Sequence, residues 1–106
     1  MKLNTAGRNH LNRQKIINRL KKRKLLFEQY HIKKLGLFGS YFHDTHSLKS
    51  DIDFLVELEK PSFDDLINLS FELEGMFKKR IDLITIKGLS RHMKPFIKNK
   101  VAWIEV

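Results

Sequence analysis

Residues 35–56 read LGLFGSYFHDTHSLKSDIDFLV, and the pattern of this stretch decides the fold. An apolar run ends at Gly39 and Ser40, a polar segment follows, and Asp51 and Asp53 then open a second apolar run. Short apolar runs bounded by glycine and polar residues are typical of buried strands. The stretch therefore predicts two strands joined by a polar loop that has room for one helical turn.

Asp51 and Asp53 are separated by one apolar residue at the start of the second predicted strand. Because side chains alternate across a strand, the two carboxylates point to the same face. Two like charges side by side are unfavourable unless a positive charge lies between them. Mg²⁺ prefers carboxylate oxygens as ligands, so the pair predicts a metal site.

Length and composition place limits on the class of protein. A chain of 106 residues predicts a single domain over residues 1–106, with residues 1–9 as a loose N-terminal arm. No apolar run approaches the roughly 20 residues that span a bilayer, and the polar N-terminus lacks the apolar core of a signal peptide. We therefore expect a cytoplasmic protein with no membrane partner. The absence of cysteine excludes disulfides and thiolate metal sites.

The chain is strongly basic, with a formal net charge of +9. This balance favours an anionic partner, such as nucleotide phosphates, nucleic acid or an acidic protein surface. We interpret the run of four cations at residues 21–24 as a solvated helix face, and we keep nucleic-acid contact as a less favoured hypothesis. Because the chain is short, assembly with a copy of itself or with a partner protein would help to complete its core.

Hydrophobic periodicity predicts helices and strands along the rest of the chain. Helices are expected over about residues 10–30, from the N-cap Ser62 to about residue 77, and after Ser90 with a disturbance at Pro95. Strands are expected at residues 34–38, 52–58, 81–86 and 101–106. The long helix between the second and third strands indicates a βαβ unit with parallel strands, whereas the short preceding loop allows the first two strands to be antiparallel.

This topology brings the polar residues of three strands to one edge of the sheet. Asp82 opens the third strand and is expected to lie level with Asp53, beside Asp51. Such carboxylates suit two-metal phosphoryl transfer, in which Gly39 lets the backbone approach a phosphate and the Ser40 hydroxyl orients the leaving pyrophosphate. The predicted fold class is α/β (α+β), a mixed sheet of three to four strands flanked by helices.

The spacing of these residues resembles a known family. Gly39 and Ser40, then ten residues, then Asp51-Ile52-Asp53 match the G-S-x10-D-x-D signature of the DNA polymerase β-like nucleotidyltransferases. The segments LGLF, FLVEL and RIDLIT in so short a chain are similar to the minimal nucleotidyltransferases, called MNT proteins or the MntA antitoxin family. The resemblance covers about residues 35–86 and implies a polymerase β-like palm.

The resemblance also implies an activity, a partner and roles for the site residues. Family members transfer AMP from ATP to a tyrosine of a HEPN-domain toxin, a ribonuclease that is often encoded beside them, and act as its antitoxin. Asp51 and Asp53 would bind two Mg²⁺ ions, and Asp82 would be a third metal ligand or the base that activates the acceptor hydroxyl. Gly39 and Ser40 would bind the triphosphate of the nucleotide.

Residues 39–44 read GSYFHD and depart from the family pattern G-S-x-A-R-G. His43 stands where arginine is common, and Asp44 stands where glycine is common. Arginine stays charged and donates a fork of hydrogen bonds, whereas histidine is only partly charged near neutral pH. This departure leaves two alternatives open, namely a catalytically weak antitoxin that acts by direct contact and a basic nucleic-acid-binding module. A small-molecule acceptor is less favoured, because the chain lacks a second domain to hold it.

The remaining aromatic and histidine residues have structural interpretations. We expect Tyr41 to pack against the sheet rather than to stack on a base. His43 and His46 are interpreted as exposed loop residues rather than metal ligands, and Trp103 as part of the core or of an interface.

Overall fold

The computed structural model of the protein describes residues 10–106, so the predicted arm at residues 1–9 lies outside the described residues. The helices are α1 (Arg13–Lys21), α2 (Lys24–Gln29), α3 (Ser40–His43), α4 (Phe63–Phe77) and α5 (Lys94–Ile97). The strands are β1 (Ile32–Phe38), β2 (Ile52–Leu58), β3 (Ile81–Thr85) and β4 (Ala102–Trp103). A 3-10 turn, Ile86–Gly88, follows β3. Within the described part, no helix is long and apolar enough to cross a membrane.

The four strands form one mixed sheet in the order β3-β2-β1-β4. Strand β1 pairs antiparallel with both β2 and β4, whereas β2 and β3 are parallel. Helix α4 connects the two parallel strands, because a parallel pair requires a crossover rather than a tight turn. The predicted α/β class and the mixed sheet flanked by helices are confirmed.

The N-terminal helical region is broken, although the sequence predicts one helix over residues 10–30. Helix α1 begins after Asn12, whose side chain accepts a hydrogen bond of 2.9 Å from the backbone N–H of Lys15. A new helix starts after Arg23, whose φ of −112° and ψ of 50° are not helical. A continuous helix would turn one cation of residues 21–24 towards the core, and with the break all four side chains stay exposed. The run is therefore solvated as expected, but the prediction that it forms the face of one helix is wrong.

Helix α4 follows the sequence prediction closely. The Ser62 side chain caps its N-terminus by accepting a hydrogen bond of 3.2 Å from the backbone N–H of Asp65. At the other end, Lys78 adopts a left-handed conformation with a φ of 54° and donates its N–H to the Glu74 carbonyl. The helix buries Leu69, Leu73 and Phe77. These contacts fix how α4 lies on the sheet between β2 and β3.

The C-terminal elements are shorter than expected. The helix expected after Ser90 begins at Lys94, and the Ser90 side chain accepts a hydrogen bond of 3.1 Å from the Met93 N–H. Pro95 explains the late start, because proline is tolerated in the first turn of a helix and not in its interior. The strand expected over residues 101–106 is reduced to Ala102–Trp103, which pairs with the middle of β1.

The helices cover one face of the sheet and leave the other face to the C-terminal segment. We call these the covered face and the open face. The hydrophobic core lies on the covered face and includes Ile16, Leu20, Leu26, Phe27, Leu35, Leu37, Ile52, Phe54, Val56, Leu69, Leu73 and Phe77. Because strand side chains alternate, the open face carries Gly36, Phe38, Asp53, Leu55, Asp82, Ile84 and Trp103.

Candidate active site

Gly39 joins β1 to α3 and lies against the carboxylate of Asp53. The antiparallel register pairs Phe38 with Asp53, so the chain that leaves β1 passes this carboxylate. Gly39 has a φ of 76°, a conformation that side chains rarely adopt. A Cβ atom at this position would overlap the Asp53 Oδ2 atom. Glycine therefore makes the turn and leaves the space that the carboxylate occupies.

Asp82 stands beside Asp53 on the open face, as the sequence predicts. The parallel register pairs the two residues directly. Burial raises the pKa of Asp53 from 3.8 to about 6, and the charges of Asp82 and Asp51, together with a hydrogen bond to Asp82, act in the same direction. The Asp53 carboxyl group therefore holds its proton to a higher pH than an ordinary aspartate does when no cation is bound. A positive charge bound between them would remove this repulsion.

The donor set fits a Mg²⁺ ion without forming a closed protein cage. Among residues 10–106, no group of three or more His, Cys, Asp and Glu side chains is arranged to hold a metal ion. Asp53 and Asp82 contact each other, and the exposed Asp51 acts on Asp53 through its charge. Proteins usually hold Mg²⁺ with one or two carboxylates, water and substrate phosphates, so this pair has suitable chemistry. The assignment of Asp51, Asp53 and Asp82 as metal ligands stays a prediction.

Ser40 is the first residue of α3 and follows Gly39 directly. Its side chain is partly buried, and within residues 10–106 its hydroxyl has no hydrogen-bond partner. The hydroxyl is therefore free to bind a ligand next to the Asp53 carboxylate. Its role in holding a triphosphate stays a prediction.

Asp44 and His43 both depart from the family pattern, and they differ in their consequences. Asp44 has a φ of 57° and a ψ of 32°, which explains why glycine is common at this position. Aspartate adopts this left-handed conformation more readily than most residues, so the backbone of the turn is kept. His43 is exposed, as expected, and its ring packs edge-on against the Phe42 ring, with 5.0 Å between the two ring centroids. Asp44 therefore keeps the backbone of the turn, whereas His43 lacks the guanidinium of the family arginine.

Arg13 places a different guanidinium beside this loop, and sequence reasoning did not single it out. The Arg13 Nη1 atom donates a hydrogen bond of 3.1 Å to the Phe42 carbonyl. Its Cζ atom lies 4.5 Å from the centroid of the Phe42 ring. Periodicity alone had no signal for it, since Arg13 opens α1 and reaches the loop across a separation of 29 residues.

Tyr41 is buried and packs in the core, which confirms the expectation for this residue. Its ring stacks on the ring of His46, with a centroid distance of 4.0 Å and an interplanar angle of 12°. The expectation that His46 is an exposed loop residue is therefore wrong. Stacking on a buried tyrosine holds His46 partly inside the protein, and its Nδ1 atom has no hydrogen-bond partner within the described range.

Comparison with known proteins identifies the relatives of this chain. Residues 13–104 match the family model described as a nucleotidyltransferase domain. The chain is 34% identical over 84 residues to a proposed protein adenylyltransferase of Methanocaldococcus jannaschii, which covers 76% of this chain and 81% of that protein. It is 30% identical over 83 residues to the protein adenylyltransferase MntA of Thermococcus cleftensis, with 77% of this chain and 84% of that protein covered.

The fold is also similar to those of solved structures. A proposed minimal nucleotidyltransferase superposes with a TM-score of 0.75 at 22% identity, covering 92% of this chain and 98% of that chain. A chain from the complex of tri-AMPylated Shewanella oneidensis HEPN toxin with MNT antitoxin superposes with a TM-score of 0.60 at 19% identity. The superposition covers 86% of this chain and 70% of that chain. At these identities, the similarity shows a shared fold.

Proposed function

The chain belongs to the nucleotidyltransferase family, and from that premise we propose that it transfers AMP from ATP to a tyrosine hydroxyl of a HEPN-domain toxin. In this way it acts as the antitoxin of that toxin. The observation that carries the proposal is the pairing of Asp53 with Asp82, with Asp53 packed against Gly39, an arrangement that suits a phosphate-bearing ligand and a cation. The protein adenylyltransferases among the relatives support the type of transfer, and the AMPylated toxin in the Shewanella complex supports the partner.

The proposed transfer makes and breaks one bond at the α-phosphorus of ATP. The acceptor hydroxyl oxygen bonds to this phosphorus, the bond to the bridging α–β oxygen breaks, and pyrophosphate leaves with the electron pair. The hydroxyl proton passes to the exposed carboxylate of Asp82 or to water. The backbone at Gly39 and the hydroxyl of Ser40 hold the phosphates that leave.

Asp51, Asp53 and Asp82 would hold the Mg²⁺ ions, which neutralise phosphate charge and align the reacting oxygens when they are bound. Above pH about 6 the Asp53 carboxyl loses the proton that it holds in the absence of a cation, so it is available as a ligand near neutral pH. The alternating geometry of β2 keeps Asp53 on the open face, because its two neighbours Ile52 and Phe54 are anchored in the core.

Label position in ATP distinguishes AMP transfer from other reactions. The purified protein is incubated with Mg²⁺ and a HEPN-domain protein encoded beside it, using ATP labelled at the α-phosphate or at the γ-phosphate. We expect α-label on a tyrosine of the HEPN protein and no γ-label. Transfer of γ-label instead would show phosphorylation and would refute the proposal.

A matched pair of variants tests the assigned site in the same assay. Asp51→Asn combined with Asp53→Asn should abolish label transfer. Asp64→Asn combined with Asp65→Asn removes the same charge from the first turn of α4 and should leave transfer within about twofold, since single helix-end charges contribute little. Transfer that survives the first double substitution would remove these carboxylates from the mechanism.

A second candidate function is restraint of the toxin by contact, with little catalysis. The exposed His43 in place of the family arginine favours this hypothesis. It predicts that the Asp51→Asn and Asp53→Asn variant still binds the toxin and still protects cells that express it. If protection is lost while binding persists, AMP transfer is the mode of neutralisation. If the histidine at this position weakens catalysis, the His43→Arg variant should transfer AMP faster than the natural protein.

A further inference from the structure

A cavity of about 560 Å³ lies on the open face of the sheet. Its lining includes Leu55, which follows Asp53 by two residues on β2 and therefore lies on the same face. Positions two apart on a strand are about 6.6 Å apart, so the cavity begins one side chain away from Asp53. Across the sheet, Leu55 is level with Ile84 on one side and Gly36 on the other.

Trp103 and Val101 form the wall of the cavity over β1. A Cβ atom at Gly36 would lie 2.7 Å from the Trp103 Cε3 atom, closer than carbon atoms pack. The missing side chain of Gly36 therefore allows the C-terminal segment to lie directly on the sheet. Trp103 is 44% exposed, so of the two positions expected for it, core or interface, the core position is wrong, and its ring borders the cavity.

The lining of the cavity is mainly apolar, and its charged residues are lysines. Leu55, Leu89 and Ile97 supply apolar surface, while Lys34, Lys94 and Lys98 supply positive charge, and none of the acids in the described range lines this cavity. Residues 83–104 contain no Asp or Glu. Within the described residues, none of these three lysines forms an ion pair. The surface is therefore complementary to a ligand that is both apolar and anionic.

The direction of the reaction links this cavity to the acceptor. Displacement at phosphorus places the attacking oxygen and the leaving oxygen on opposite sides of the phosphorus. Gly39 and Ser40 lie beyond the end of β1, and Leu55 lies in the opposite direction along the sheet from Asp53. If the pyrophosphate leaves over Gly39 and Ser40, the acceptor hydroxyl arrives from the side of the cavity.

We propose that this cavity holds the acceptor polypeptide segment, with an apolar or aromatic side chain inside and acidic residues of the segment against Lys34, Lys94 and Lys98. The proposal rests on the proposed function, in that the acceptor is a protein. The lining is mainly aliphatic and carries one aromatic ring, that of Trp103, which favours an apolar side chain of a polypeptide over the successive stacked bases of nucleic acid. The lysines would select segments with acids next to the reactive tyrosine.

Trp103 is the only tryptophan of the chain and lines the cavity, so its fluorescence reports binding without any need for catalysis. The probes are the amidated peptide Glu-Glu-Tyr-Glu-Glu, its Gln-Gln-Tyr-Gln-Gln counterpart and a single-stranded oligouridine. We expect the acidic peptide to change the Trp103 signal saturably and to bind about tenfold more tightly than the neutral peptide. A signal change with oligouridine and none with either peptide would overturn the proposal in favour of nucleic acid.

Charge reversal at the cavity has a matched control elsewhere. Lys94→Glu combined with Lys98→Glu should weaken binding of the acidic peptide about tenfold or more. Lys21→Glu combined with Lys22→Glu changes the net charge equally at exposed positions near the end of α1 and should leave the affinity within about twofold. Equal weakening by both pairs would show a general charge effect and would overturn the subsite. Circular dichroism melts confirm that both variants fold.

Kinetics with the HEPN-domain protein separate this proposal from the proposed function. The Lys94→Glu and Lys98→Glu variant should raise the KM for the protein acceptor about tenfold and change the KM for ATP less than about twofold. Transfer with an unchanged acceptor KM would overturn the subsite and leave the function standing. A rise in the KM for ATP instead would assign the cavity to the nucleotide base. Peptide binding without transfer to any protein would refute the function and retain the cavity as a peptide site.

Discussion

The covered face and the open face of the sheet are made by the same strands, and they differ in what lies on them. On the covered face, Leu37 and Phe54 are fully buried by helices. On the open face, the neighbouring positions Phe38 and Asp53 border the site, and Asp53 remains partly exposed. Because the side-chain period of a strand is two, one strand can serve both faces at once.

The difference shows how a small domain holds a carboxylate in an unfavourable place. Asp53 lies between Ile52 and Phe54, and both of these side chains are fully buried. Packing of the neighbours fixes the direction of the Asp53 side chain, although burial and the charge of Asp82 oppose its ionised form. The covered face therefore supplies the stability that the open face lacks.

The largest effect is expected from truncation on the covered face. Phe54→Ala should lower the free energy of unfolding by about 3–5 kcal/mol, because it leaves a cavity beneath the Phe77 ring, whose centroid lies 6.3 Å away. Phe63→Ala is the control, since Phe63 is 75% exposed, and it should cost less than about 0.5 kcal/mol. Urea unfolding measures both variants. Similar losses for the two would contradict the division into faces.

Asp53→Asn should separate activity from stability on the open face. We expect AMP transfer to fall by about 10²–10³-fold, the range seen when one preorganised charge contact at a transition state is removed. Without Mg²⁺, the variant should be more stable than the natural protein near pH 7.5, by about 1 kcal/mol after discounting for the solvent that reaches this carboxyl. Thermal melts and label transfer measure the two effects. A fall in both quantities would show that Asp53 is a structural residue.

The stability difference between the Asp53→Asn variant and the natural protein should depend on pH with a definite sign. The folded-state pKa of Asp53 is raised from 3.8 to about 6, so the folded protein binds more protons between these values. The stability of the natural protein should therefore fall as the pH rises through this window. The amide that replaces the carboxyl in the Asp53→Asn variant does not titrate, so the advantage of the variant should shrink as the pH falls from about 6 towards 3.8. Thermal melts across this range measure the difference, and an advantage that is constant with pH would contradict the raised pKa.

Gly39→Ala should affect both the turn that joins β1 to α3 and the position of the Asp53 carboxylate. We expect a loss of about 1–2 kcal/mol, because the position requires a positive φ and a Cβ atom would push the Asp53 carboxylate aside. Transfer activity should fall by more than this loss of stability explains, since the carboxylate is displaced. Label transfer is measured at a temperature where the variant is fully folded. Full activity there would show that Gly39 serves only the turn.

Gly75→Ala is the matched glycine substitution and should have the smallest effect. Gly75 is exposed near the end of α4, and a Cβ atom there would meet nothing within 4 Å. Alanine is favoured over glycine in a helix, so we expect a gain of about 0.5 kcal/mol and unchanged transfer. Thermal melting and label transfer test this expectation. A loss of stability would show that this end of α4 packs more tightly than the structure indicates.

Local patterns in the sequence predicted much of the sheet and the arrangement of its acids. The apolar runs around Gly39, the acids at the start of β2 and the cap at Ser62 each act over a few residues. The pairing of Asp53 with Asp82 followed from the βαβ connection, and the register confirms it. The nucleotidyltransferase class followed from the family resemblance that these residues carry, and it is confirmed by the family to which the chain belongs.

Features that depend on distant contacts were missed or wrong. The sequence favoured one helix through the four cations at residues 21–24, because these residues are good helix formers. Helix propensity carries no information on which side of a helix must face the core. The contact of Arg13 with Phe42 and the stacking of His46 on Tyr41 join residues whose proximity no local pattern encodes. Apolar neighbours suggested a core or interface position for Trp103, and they carry no information on the cavity beside it.

The sequence by itself determined the strand pattern, the acids at the strand starts and the glycine turn between them, because each depends on alternation or backbone freedom over a few residues. The tertiary structure decided what those residues face. It set Asp53 between Asp82 and Gly39, raised its pKa by burial, and laid a basic, aliphatic C-terminal segment over Gly36. Such juxtapositions arise from packing between elements far apart in the chain, so they exist only after the sheet has formed.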